Sequence, residues 1–169
     1  MKKLIFFILM FLFAYSAFAD EFSPIKLFHI ERSKNKNQVH YFAMVDKNCK
    51  LKEIETIKGQ WLVLEKDKDH KEELSTFDQI AYGIIKPEVK DNWVTFSLRA
   101  LKQRIIKATA EKKDDKCITK SIMQISGQDA FFEKVYVFSK EGFVMPTVIY
   151  LDIYGKLPDG KPIIEKFKP

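Results

Sequence analysis

Apolar and polar residues alternate with period two along most of the chain, the pattern of strands that bury one face. Two such runs, Lys26 to Ser33 and Gln38 to Asp46, flank the polar Lys34-Asn35-Lys36-Asn37 and predict a hairpin. The same alternation predicts strands over Gly59–Lys66, Trp93–Arg99, Arg104–Ala110, Cys117–Ser126 and Ala130–Ser139. Pro146–Tyr154 is rich in β-branched and aromatic residues, and Asp159-Gly160 turns the chain into a last short strand, Ile163–Phe167. Most connections are too short for parallel crossovers.

One helical segment interrupts the series. Ser75 and Asp78 have the spacing of a capping box, with Asp in the Glu position. Leu74, Phe77, Ile80 and Ala81 recur on one helical face, Gly83 reads as a left-handed terminator, and Pro87 bars continuation. A helix of seven or eight residues cannot stand alone in water, so its apolar face is expected to pack on the sheet.

These elements predict an all-β, mainly antiparallel domain with one short helix. The preferred architecture is a meandering barrel or strongly curved sheet of eight or nine strands, calycin-like, because closure removes exposed edges. A two-sheet β-sandwich is the alternative. Gly59-Gln60-Trp61 matches the Gly-x-Trp of the first lipocalin strand, but two strands precede it here, and Trp61 reads as a core anchor.

The hairpin fixes which side chains share a face. Pairing residues whose numbers sum to 71 sets Phe28 against Ala43, Ile30 against Tyr41 and Arg32 against Val39. It gathers Phe28, Ile30, Val39, Tyr41, Ala43 and Val45 on one apolar face, which is what normally sets register. The other face then carries His29, with Glu31 directly opposite His40. Two imidazoles and a carboxylate at that spacing suit an acid/base pair or a divalent metal, or simply a cross-strand hydrogen bond on a solvated face. That last reading is the stronger, so no metal site and no cofactor is assigned; His29, Glu31 and His40 stand as catalytic candidates only. The turn itself, Arg32, Ser33, Lys34, Asn35 and Asn37 with Lys36 between them, is basic and amide-rich. It suits a carboxylated, phosphorylated or sugar ligand. His70 falls in a charged loop, facing solvent.

The N-terminus adds a destination. Lys2 and Lys3 precede an apolar run, Leu4 to Ser16, and Ala17-Phe18-Ala19 supplies the small residues of a cleavage site. The reading is a signal peptide over residues 1–19, removed to leave a single domain, 20–169, in the periplasm or cell exterior. The apolar run is shorter than the roughly 20 residues a spanning helix needs, so contact with the membrane is through the cleaved signal alone. The formal charge of +6 falls to +4 without Lys2 and Lys3, and the charges of both signs are interleaved. Together with export, this argues against nucleic acid as a partner. An oxidising compartment permits a Cys49–Cys117 disulfide; two unrelated thiols are the other reading. Nucleophile elbows, P-loops, dinucleotide fingerprints and His-Glu-x-x-His are absent from the sequence.

Phe28-His29-Ile30-Glu31-Arg32-Ser33-Lys34-Asn35-Lys36-Asn37, with Val39 and Tyr41, resembles the opening signature of a family of short exported bacterial proteins, domain of unknown function 4833. Ala81-Tyr82-Gly83-Ile84 and Pro146 to Gly155, with Gly160-Lys161-Pro162, are similar to it as well. The resemblance implies an exported single-domain protein and assigns no residue a role. The expected function is therefore a non-enzymatic ligand-binding β-domain whose partner is a small molecule or an envelope component. An envelope interaction or structural protein is the next reading. A hydrolase-type or metal-binding enzyme using His29, Glu31 and His40 comes last.

Overall fold

A computed structural model describes residues 21–64, 69–140 and 146–168. The signal read at residues 1–19 lies outside them, as do the last two residues of the Gly59–Lys66 strand and most of the turn after Lys140.

The domain is all-β. Its strands are β1 (Ser23–Arg32), β2 (Gln38–Val45), β3 (Ile57–Val63), β4 (His70–Glu73), β5 (Ile84–Lys90), β6 (Trp93–Leu98), β7 (Leu101–Lys113), β8 (Lys116–Ile125), β9 (Gln128–Lys140), β10 (Thr147–Lys156) and β11 (Pro162–Phe167). One helix, α1 (Asp78–Tyr82), joins β4 to β5. The strands form one mixed sheet in the order β4-β3-β2-β1-β9-β8-β7-β6-β5, and β10 and β11 extend it from β9.

Three expectations are corrected. Among the described residues there are eleven strands rather than eight or nine. The sheet is not closed, since its path ends at β4 and β5 without pairing them, so neither a meandering barrel nor two separate sheets describes it. And β1 runs parallel to β9 over His29–Arg32, breaking the antiparallel meander.

The parallel pairing arises because β8 and β1 share one edge of β9. β8 pairs with residues 128–131 and β1 with 134–137, while β10 holds the opposite edge. The sheet forks there, and the halves on either side turn their apolar faces toward each other. Phe28 is the hub: its ring lies 4.7 Å from Tyr41, 4.5 Å from Phe132 on β9 and 6.2 Å from Phe96 on β6. All four rings are buried. Two cross-links fasten the halves at the β2–β3 loop. Cys49 and Cys117 are joined, with Cα atoms 5.3 Å apart. Asn92, in the β5–β6 turn, accepts from Leu51 N at 2.8 Å and donates to the carbonyls of Cys49 and Ala110.

The two strands that the alternation did not predict lie at the sheet's ends. β4 is His-Lys-Glu-Glu, charged and without an apolar face, and it carries His70 in a strand rather than a loop. β5 contains Pro87, which lacks the N–H a central strand needs but is tolerated at an edge, beside a register shift between Ile85 and Glu88. Charged residues and proline are the usual means of blunting an exposed edge.

The capping box forms: Ser75 N donates to Asp78 Oδ2 at 3.1 Å, and Asp78 N donates to Ser75 Oγ at 3.2 Å. The rest of the helix departs from expectation. It has five residues, and Phe77 and Ile80 are each 62% exposed. It is fixed by its C-terminal end instead. Tyr41 Oη donates to Tyr82 O at 2.7 Å, and the Tyr82 ring meets Trp61 edge-on at 5.3 Å. Gly83 is extended, not left-handed. A Cβ there would come within 2.3 Å of Gln79 O, so glycine is needed for space.

Candidate functional site

β1 and β2 present their apolar face as expected: Phe28, Ile30, Val39, Tyr41, Ala43 and Val45 are all buried. The register differs by two residues. Ile30 pairs with Val39, His29 with His40 and Phe28 with Tyr41, so Glu31 is not opposite His40. The reason is the third strand at the site. Glu31 and Arg32 pair with Tyr136 and Val137 on β9, Ser33 N donates to Val137 O at 2.9 Å, and Asn37 Oδ1 accepts from Leu64 N at 3.1 Å. The end of β1 is drawn toward β9 and the turn widens. A slip of two keeps every side chain on its own face, which is why the buried set survived.

The outward row is a polar network. Glu31 Oε1 is 3.0 Å from His29 Nε2, and Lys134 Nζ donates to Glu31 Oε2 at 2.9 Å. The His40 ring stands 5.2 Å from that of His29, and His40 Nε2 is 2.7 Å from Gln38 Oε1. Burial raises the Glu31 carboxyl, but the hydrogen bonds from Lys134 and His29 outweigh it and hold it below the usual carboxylate range. Burial also lowers His29, only partly offset by its bond to Glu31. His40 is pushed down to about 4, first by burial and then by the charges of Lys26, His29 and Lys71. Both imidazoles are neutral at neutral pH, and the carboxylate already serves two partners. Among the described residues no group of three or more His, Cys, Asp or Glu is placed to hold a metal ion.

This network sets a pH dependence. In the unfolded chain His40 takes its proton near pH 6.5, whereas the folded state resists it until about 4. The unfolded state therefore binds more protons below pH 6.5, and stability falls as pH drops through that window. Discounted for the solvent that reaches the ring, the loss from His40 is about 1–2 kcal/mol. Urea midpoints measured at pH 7.5 and pH 4 should fall less for His40→Gln than for the parent; an equal fall would remove His40 from the account.

The turn candidates divide. Arg32 and Asn35 meet: Arg32 Nη2 donates to Asn35 Oδ1 at 2.8 Å. The guanidinium lies over Trp61, 4.3 Å from the ring centroid, and its Nε is buried without a hydrogen-bond partner. The Asp78 carboxyl is held low by Ser75, the Trp61 side chain and the Arg32 charge against the opposing effect of burial. Ser33 is a structural link, its Oγ accepting from Ser139 N at 3.1 Å. Asn37 fastens the turn to β3. Lys34 stands exposed at the tip.

Arg32, Ser33 and Asn35 border an open cleft of about 480 Å³, the size of a small-ligand site, whereas Lys34 and Asn37 do not line it. Glu31, Lys36 and Gln38 line it too, together with Leu64 and Tyr136. Glu31 belongs both to this cleft and to the histidine row. Gln38, Lys134 and Tyr136 were missed from the sequence. Gln38 follows the turn directly and could have been read with it. Lys134 and Tyr136 arrive through the parallel β1–β9 pairing, which leaves no local signal.

A family model described as a domain of unknown function, DUF4833, matches residues 28–166. No curated protein and no solved structure matches the chain.

Proposed function

The chain belongs to the DUF4833 family, whose function is unknown, and from that premise we propose that it is an exported, non-enzymatic ligand-binding β-domain that takes a small anion in the cleft at the β1–β2 turn. One observation carries the reading. The Arg32 guanidinium packs over Trp61 and donates to Asn35, and Arg32 and Lys36 line the same cleft. A guanidinium immobilised in advance loses little entropy on binding, and its fork matches carboxylate or phosphate. Of the nearby carboxylates, Glu31 is paired with Lys134 and Asp78 accepts from Ser75. The packed Phe28 hub argues for a ligand at this rim and not inside the sheet. Export is supported by the residue pattern of 1–19 and, weakly, by the joined cysteines.

The test is calorimetric titration with inorganic phosphate and acetate. Arg32→Gln should weaken binding by about tenfold or more, the worth of a charge-assisted hydrogen bond, while leaving the circular dichroism spectrum unchanged. Equal binding by parent and variant would place the site elsewhere.

A further inference from the structure

We infer that the outward face of β1–β4 carries a second anion site, in which Lys26, Lys71 and His40 gather around Phe42 and take a sulfate- or phosphate-type oxyanion together with a proton on His40. It is independent of the turn cleft. Phe42 lies between the buried Tyr41 and Ala43 on β2 and so points outward, yet it is only 8% exposed. The groups beside it are lysines. Lys26 on β1 and Lys58 on β3 are its register partners, and Lys71 reaches over from β4, its Nζ 5.5 Å from the ring centroid. Lysine stems lie along apolar surface and keep their ammonium groups in water, so this ring draws three cations into one neighbourhood. His40 is the next outward residue of β2, its ring 6.2 Å from that of Phe42.

The carboxylates near this cluster are already engaged. Glu73 accepts from Lys58 at 2.6 Å, and Glu31 is shared by Lys134 and His29. Lys26 and Lys71 form no ion pair among the described residues, and Glu31 acts on Lys26 only at a distance. The charges that act on the His40 ring are all positive: Lys26, His29 once protonated, and Lys71. Its other neighbours are neutral, with Gln38 Oε1 2.7 Å from Nε2 and Gln60 as its register partner on β3. Like charges without a counter-charge disfavour the protonated ring, and an anion seated among them reverses that. Anion and proton therefore bind cooperatively, each raising the affinity for the other by the same factor. Protonation also gives the ring a second N–H, which joins two ammonium groups as donors to an oxyanion with several acceptor oxygens. At neutral pH the ring is uncharged and the site lacks its third cation.

The experiment follows the His40 ring resonances of the folded, disulfide-bonded protein by NMR from pH 7.5 to 4, in sodium sulfate and in sodium chloride of equal ionic strength. Sulfate stays doubly charged across this range, so only the protein titrates. In chloride the ring should stay mostly neutral at pH 5. In sulfate its midpoint should lie about one pH unit higher, which is an anion bound about tenfold more tightly to the protonated form. Lys26→Gln and Lys71→Gln together should abolish the difference between the two salts. Both side chains are exposed, where substitution disturbs folding little. Equal midpoints in sulfate and chloride, the result of screening alone, overturn the inference. So does a sulfate effect that survives the loss of both lysines.

Discussion

Replacing Cys49 and Cys117 together by serine should lower the unfolding free energy by about 4 kcal/mol, with the native structure retained. The bond closes a loop with a sequence separation of 68, and most of its effect is to restrict the unfolded chain. The folded state keeps its geometry for an independent reason. Asn92 bonds to Leu51 N and to the carbonyls of Cys49 and Ala110, so the β2–β3 loop stays fastened to β7. Asp46 Oδ1 holds the same loop by accepting from Asn48 N and Lys50 N, each at 2.8 Å. The double variant should therefore show a native near-ultraviolet dichroism spectrum and a much lower urea midpoint. A midpoint equal to the parent's would mean that the bond constrains nothing, or that it does not form in the protein as isolated.

Phe28→Ala should cost a similar amount, about 4 kcal/mol, by a different route. Phe28 is fully buried, and its ring touches three others drawn from both halves of the forked sheet. Truncation removes its transfer energy and leaves a cavity that two sheet faces, pinned by Cys49–Cys117 and Asn92, cannot collapse to fill. Chemical denaturation of the variant measures this directly. A cost within about 0.5 kcal/mol, the usual range for a surface substitution, would contradict the placement of Phe28 at the junction.

The core residues of this hairpin were readable because side-chain direction has a period of two. Any even slip leaves Phe28, Ile30, Val39 and Tyr41 inside, so alternation alone identified them. The register itself was not readable, because β9, about a hundred residues away, draws Glu31, Arg32 and Ser33 toward it. Long-range parallel pairing leaves no pattern in either strand. β4 and β5 were missed for a related reason: edge strands are shaped to look unlike strands, here by four polar residues and by Pro87. The capping box of Ser75 and Asp78 is a local device and was legible, whereas the exposure of Phe77 and Ile80 depends on how Tyr41 and Trp61 hold Tyr82. At the site, the basic turn was visible as composition. The feature that organises it, Arg32 laid over Trp61, joins two strands through a contact that spacing could not indicate.

The most direct test of the cleft is to add inorganic phosphate to the isotope-labelled protein and follow the backbone amide resonances. Movement should concentrate at residues 31–38, Leu64 and Tyr136, with the Trp61 indole N–H responding through Arg32. Signals that stay still there, or that move only at β5 and β6, would contradict a ligand site at the β1–β2 turn.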